Sequence, residues 1–157
     1  MSNSVILKKY LDIINEYPAD AAITPGMLIE LNSDGEVKAH ATAGGNVLPM
    51  FALEDELQGN GLEDNYAAGD RVQCWVPVRG EEVNTILADG ENVSVGNFLE
   101  SAGNGYLRKH VVDSTGDYLV IPLVAIALEA KDLSGSSGEG SLSETIGLNK
   151  RIKVRIV

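Results

Sequence analysis

Three times in this chain a glycine opens a short apolar segment: Gly26-Met27-Leu28-Ile29, Gly69-Asp70-Arg71-Val72 and Gly96-Asn97-Phe98-Leu99. A tight turn that needs a residue without Cβ and leads at once into a few apolar residues leaves no room for long helices. It favours short strands joined by hairpins. Further Asp-Gly and Gly-rich breaks separate these segments, and the 17 glycines with only 5% aromatic residues point the same way. The expected class is mainly β, a small barrel or sandwich rather than a helix bundle.

Local chemistry fixes several elements. In Thr24-Pro25-Gly26 the proline sets φ at the second turn position and the glycine accepts positive φ at the third, as a type II turn requires. A strand is predicted over 27–31, and Asn32-Ser33-Asp34-Gly35 closes a hairpin onto 37–41. There Val37, Ala39 and Ala41 alternate with Lys38 and His40, which places His40 on the wet face. Val76-Pro77-Val78 marks a strand end, because proline cannot donate to a central ladder. Residues 118–128 form the longest apolar run, with Val120, Ile121, Val124 and Ile126 as core. Ile126-Ala127-Leu128-Glu129 echoes Phe51-Ala52-Leu53-Glu54, a sign of equivalent strands.

The chain divides into an N-terminal arm or edge element (1–19), a β-rich core domain (20–132), a Gly/Ser-rich loop (133–143) that can bury almost nothing, and a C-terminal strand (144–157). At 157 residues there is material for one domain that buries roughly two-thirds of its unfolded surface. In the arm, Leu7, Tyr10, Leu11, Ile14 and Tyr17 fall at helical spacing, with Ser4 as cap and Pro18 as stop. The same stretch is rich in β-branched and aromatic residues, so helix and edge strand both remain open. Whichever it adopts, its apolar face must be covered by its own domain or by a neighbouring subunit.

Charge excludes some partners. The formal net charge of −11 argues against binding nucleic acid, which requires clustered Lys and Arg. No secretion signal or membrane-spanning run of about 18 apolar residues is present, so cytoplasmic synthesis and no membrane partner are expected. Lys150, Arg151, Lys153 and Arg155 concentrate four positive charges at the end of the chain, leaving residues 1–149 at −15 from eight basic and 23 acidic residues. Ile152, Val154 and Ile156 alternate with Arg151, Lys153 and Arg155, the pattern of a half-buried strand with a basic outer face.

No constellation points to catalysis or to a cofactor. Cys74 is the only cysteine and lies beside Trp75 and Val76, where a buried thiol and a core-packed indole are expected. His40, His110 and Cys74 carry no nucleophile motif. Glu54-Asp55-Glu56 with Glu63 and Asp64 lacks the alternating spacing of a calcium loop and reads as a solvated acidic segment. Gly103-Asn104-Gly105 is a hairpin turn rather than a phosphate loop. A carrier-like or small-ligand- or glycan-binding β-barrel module is the alternative class. A carrier would need a lysine at a hairpin tip, whereas Asp89-Gly90 offers none and Lys109 follows Arg108 on a predicted strand.

The wording of the segments adds a resemblance. Ala22-Ile23-Thr24-Pro25-Gly26-Met27-Leu28-Ile29-Glu30-Leu31, His40-Ala41-Thr42-Ala43-Gly44-Gly45, Phe51-Ala52-Leu53-Glu54-Asp55-Glu56 on to Gly59, Tyr66-Ala67-Ala68-Gly69-Asp70-Arg71-Val72, and Leu87-Ala88-Asp89-Gly90 with Leu99-Glu100-Ser101-Ala102-Gly103-Asn104-Gly105 resemble the head decoration, or capsid cement, proteins of tailed bacteriophages. The resemblance spans roughly residues 20–130 and, more faintly, both ends. It implies a small β barrel or β-tulip-like domain without enzymatic activity or cofactor. By resemblance, such a protein resides on the outer surface of the virion, binds the major capsid protein where subunits meet, stabilises the expanded shell, and commonly forms trimers. Leu7, Tyr10, Leu11 and Ile14 of the arm and Arg151, Lys153 and Arg155 of the last strand are the expected capsid or inter-subunit contacts.

Overall fold

The computed structural model describes residues 13–112, 122–135 and 150–157. Within them the protein is mainly β, with twelve strands, a single 3-10 turn over Glu56–Gln58 and no α-helix. A three-stranded antiparallel sheet has the order β1 (Ile13–Pro18), β5 (Arg71–Val76), β4 (Phe51–Ala52). A five-stranded antiparallel sheet has the order β6 (Glu82–Ile86), β12 (Arg151–Ile156), β10 (Leu123–Ala127), β8 (Phe98–Gly103), β9 (Tyr106–Lys109). Two small ribbons complete the fold: β2 (Ile29–Leu31) with β3 (Val37–Ala39), and β7 (Asn92–Val93) with β11 (Lys131–Asp132).

The expected closed barrel is not formed among the described residues. The two ends of the five-stranded sheet approach one another, but only a single parallel bridge, Leu87 to Leu107, joins them, with the Ala88 amide donating to Leu107 O at 2.8 Å. Instead the fold has two apolar clusters with shared walls. One gathers Leu28, Phe51, Leu87, Leu99, Leu107, Ile152 and Val154; the other gathers Ile23, Ile29, Val37, Ala52, Cys74 and Ile86. Adjacent residues therefore face opposite clusters: Leu28 and Ile29, Phe51 and Ala52, Ile86 and Leu87. A segment buried on both faces reads as an unbroken apolar run rather than an alternation. Burial of each such Leu or Ile is worth about 2 kcal/mol.

The glycine turns and the four-residue echo prove to be one device. Gly26, Gly69 and Gly96 have φ of 88°, 87° and 86°. Each lies in a turn closed by a 3.1 Å bond, from Met27 N to Thr24 O, Asp70 N to Ala67 O and Asn97 N to Ser94 O. Each glycine amide then donates to an alanine carbonyl: Gly26 to Ala52, Gly69 to Ala19, Gly96 to Ala127. The same alanines donate back to Met27 O, Asp70 O and Asn97 O. Ala52 and Ala127 are the alanines of the echoed tetrapeptides, so the sequence echo marks equivalent clasps in the two large sheets.

Several expectations are corrected. For residues 13–18 the open choice between helix and edge strand falls to the edge strand, with Ile14 opposite Trp75 and Tyr17 opposite Val72, because β5 supplies a ladder partner. Leu7, Tyr10 and Leu11 lie outside the described residues. The second strand of the first hairpin ends at Ala39, so the alternation stops before His40. His40 is 2% exposed; its amide donates to Leu28 O, and its Nδ1 is 2.7 Å from Ser101 Oγ. Leu133 is buried rather than part of a solvated loop, its amide donating to Glu91 O; residues 136–143 lie outside the described residues. In β10 the buried residues are Val124, Ala125 and Ala127, whereas Ile126 is half-buried opposite Arg155 and Phe98. Val120 and Ile121 lie outside the described residues.

Candidate interaction surface

The terminal strand separates its three basic residues. Ile152, Val154 and Ile156 point into the core, as the alternation requires, and Lys153 and Arg155 are exposed. Arg155 pairs with Glu82 on the neighbouring strand at 2.6 Å, and the Lys153 amide donates to Glu129 at 3.0 Å. Arg151 departs from the expected basic face. It is 5% exposed because the Pro25–Gly26 turn and Leu62 cover that end of the sheet. Its Nη2 donates to Pro25 O at 2.9 Å and Leu62 O at 2.8 Å. Burial pulls the guanidinium below its ordinary pKa, opposed by the nearby Glu63 and Glu54 carboxylates. Arg151 therefore holds the turn and the acidic loop onto the last strand. Lys150 is also buried, and its ammonium pairs with Asp89 at 2.8 Å.

The acidic segment is folded rather than loose. Asp55 caps the 3-10 turn, accepting from the Gln58 amide, and Asp64 accepts from the Gly61 amide at 2.8 Å. This fold sets Glu54, Glu56 and the 87%-exposed Leu57 beside Ile14 and Gln73 of the three-stranded sheet, on a face that is open at Ile14 and buried at Phe51. On that face Ile14, Trp75 and Phe51 form one cross-strand row. Trp75, expected in the core, is half-buried. A groove of about 430 Å³ runs between Ile14, Leu57 and Gln73, and a second hollow of about 250 Å³ lies between Trp75 and Glu82. Leu53 and Glu54 line both. Glu56 borders the first, Glu82 the second, and Glu54 stands between them. Their individual residues are visible in the sequence, but only the pairing of β1, β5 and β4 puts them together.

The groups weighed for chemistry are placed as structural parts. Cys74 is fully buried, its thiol donating to Val72 O, and burial pushes its pKa up to about 11. That leaves the thiol protonated and a poor nucleophile near neutral pH. His40 Nδ1 meets Ser101 Oγ, while Nε2 lies 3.5 Å from Glu30 and 3.3 Å from Asn46 O. This superficially resembles a Ser-His-acid relay, but Ser101 has no solvent exposure and its hydroxyl also accepts from the Gly103 amide. His110 serves a different centre: Glu100, 4% exposed, accepts from Arg108 Nη2 at 2.7 Å and from His110 Nδ1 at 2.5 Å. Lys109 ends β9, away from the Asn104–Gly105 hairpin loop.

Comparison with known proteins yields one type of likeness. No family model matches the chain, and no curated protein matches it. Among solved structures, the N-terminal base of the head fibre protein gp8.5 of bacteriophage phi29 superposes with a TM-score of 0.54 at 13% identity, covering 93% of this chain and 94% of that one. At that identity the likeness is one of fold: this chain shares the architecture of the phi29 fibre base over almost its whole length.

Proposed function

We propose that this chain is a structural protein of a phage head. It sits on the outer surface of the capsid, bridges major capsid protein subunits and stabilises the expanded shell. The observation that carries this reading is the near full-length fold likeness to a phage head fibre base. It converges with the resemblance of segments 22–56 and 87–105 to head decoration proteins. Chemistry is consistent with a mechanical role: the one thiol is sealed in the core, and both histidines are consumed by buried polar networks.

A clamp of this kind acts by mass action. A protein that binds assembled shell better than free subunits stabilises the shell by the difference in binding free energy, multiplied over many symmetry-related copies. Lys153 and Arg155 are the exposed basic residues of the last strand available to an acidic capsid surface. The copies act as homo-oligomers, a trimer fitting the threefold junctions of a shell. The test is the melting of expanded, undecorated shells with and without the protein. A raised shell melting temperature supports the clamp.

A second reading is favoured by the fibre-base likeness itself. Here the chain is an anchor that seats on the head without strengthening it. Binding with an unchanged shell melting temperature would select this reading.

A further inference from the structure

We propose that the groove bounded by Ile14, Leu53 and Leu57 receives the ring of Phe98 from a second copy of this chain. This names the contact behind the self-association proposed above and rests on that reading, but it forms in solution, with no shell present.

Phe98 is 46% exposed, the one exposed aromatic side chain among the described residues. Val95, in the turn before it, is exposed too, and so are Val111 and Val112, which follow His110, whose amide donates to Phe98 O. Ile126, opposite Phe98 on β10, is half-buried. An apolar cluster of this kind, on a chain that buries its other phenylalanine at Phe51, is the signature of a contact surface. Arg155, opposite Ile126, and Arg108, opposite Glu100, lie on the same side of the sheet as Phe98.

The groove offers the converse. Ile14, Leu53 and Leu57 give it apolar walls, Glu54 and Glu56 give it two carboxylates, and no cation lines it. Among the described residues no cation lies within salt-bridge distance of either carboxylate. At about 430 Å³ it has the size of a ligand pocket. Leu57 stands on a turn already fixed by the Asp55 cap and by the bond from Gly59 N to Glu56 O, so little ordering is needed on binding. An aromatic anchor that fills an apolar hollow and brings arginine to its acidic rim is how a few residues supply most of an interface's energy. Arg155 thereby enters the contact between copies, and Lys153 is left to the shell.

The sheet itself keeps Phe98 from the groove of its own chain. Glu82, Arg155, Ile126 and Phe98 stand on four successive strands, so Phe98 lies about 14 Å from Glu82, three strand spacings away. Glu82 lines the second hollow rather than this groove, and Phe98 lines neither. The β8 and β10 ladders hold that separation, so a second molecule supplies the ring. Ring and groove are different patches, so each copy gives one contact and receives one, and the association closes as a pair or a ring when the rotation permits.

The experiment measures sedimentation-equilibrium mass across a dilution series. It compares the full-length protein with Phe98→Ser, Leu57→Lys and Glu56→Lys, each alone, and with an equimolar mixture of Phe98→Ser and Leu57→Lys. All three positions are exposed, so their replacement leaves the core intact. The wild-type protein is expected to self-associate and to dissociate on dilution. Phe98→Ser and Leu57→Lys should each weaken association about thirtyfold or more, and Glu56→Lys about tenfold. The mixture should associate more tightly than either variant alone, because one protein retains the groove and the other retains the ring. A wild-type protein that stays a 16.7 kDa monomer would overturn the contact and the self-association together. An oligomer indifferent to Phe98→Ser and Leu57→Lys, or a mixture no tighter than its components, would overturn the contact alone and place the association on another surface. Neither result touches the binding of shells, which the shell melting temperature reads separately.

Discussion

The Gly26 amide donates to Ala52 O at 2.7 Å, and Ala52 donates back to Met27 O at 3.0 Å. The same clasp joins Gly96 to Ala127 and Gly69 to Ala19, but the space around the three glycines differs. A Cβ on Gly26 would lie 2.5 Å from Arg151 Nη1 and 3.1 Å from Asn84 O, while one on Gly69 or Gly96 meets nothing within 4 Å. All three substitutions carry the positive-φ penalty, about 1 kcal/mol. Gly26→Ala adds a steric conflict with a buried side chain and should cost about 2–4 kcal/mol in urea unfolding. Equal losses at the three sites would show that Arg151 does not pack against this turn.

Arg151 is predicted to be a structural residue. Arg151→Ala leaves Pro25 O and Leu62 O without their donor and Glu63 without a nearby cation, and should cost about 3–5 kcal/mol. Arg151→Met retains the packing of the stem and should cost less. Lys153→Ala, on the exposed side of the same strand, should stay within about 0.5 kcal/mol. Thermal melts of the three variants give the order directly.

High pH should unfold the protein in a defined window. Cys74, with an ordinary value of 9.0 raised by burial to about 11, binds its proton more tightly folded than unfolded. Its contribution is fully present below about pH 9 and is lost as pH rises through about 11, on the order of 2–3 kcal/mol. Tyr66 and Tyr106, both raised by burial from 10.0, act with the same sign. Stability measured from pH 8 to 11 should therefore fall, less steeply in Cys74→Ala, and the thiol should resist alkylation in the native protein at neutral pH. Rapid native-state alkylation would contradict its burial.

Glu100 is expected to matter more than either partner. Glu100→Gln removes a buried carboxylate that accepts from both Arg108 and His110, and should cost about 2–3 kcal/mol. Arg108→Ala, at a side chain 40% exposed, should cost about 1 kcal/mol. Urea unfolding of both variants checks the order; the reverse order would mean that the Glu100 centre is not the hub of the β8–β9 hairpin.

Much of the local structure was legible because it rests on local chemistry. Thr24-Pro25-Gly26 turns as its residues require, β5 stops at Val76 before Pro77, and Asn104–Gly105 closes the β8–β9 hairpin. The tetrapeptide echo at Phe51 and Ile126 marked equivalent positions that only the hydrogen bonds could explain. What was hidden depends on distant covering. Arg151 shares a strand face with Lys153 and Arg155, and nothing in the alternation says that Leu62 and Pro25 close over it. His40 leaves the wet face because Ser101, 61 residues away, offers it a buried partner. The hollows beside β5 required the pairing of β1 with β5, and the helical spacing of Leu7, Tyr10, Leu11, Ile14 and Tyr17 left helix and edge strand equally open.

Clamping of a phage shell is the role proposed for this chain. Its most direct test is co-sedimentation with undecorated capsids of its own phage in expanded and unexpanded forms, followed by cryo-electron microscopy of the pellets. The account predicts ordered density on the outer surface of expanded shells at the junctions between major capsid protein subunits, with weaker binding to unexpanded shells. Absence from competent expanded shells, or density away from any junction, would contradict it.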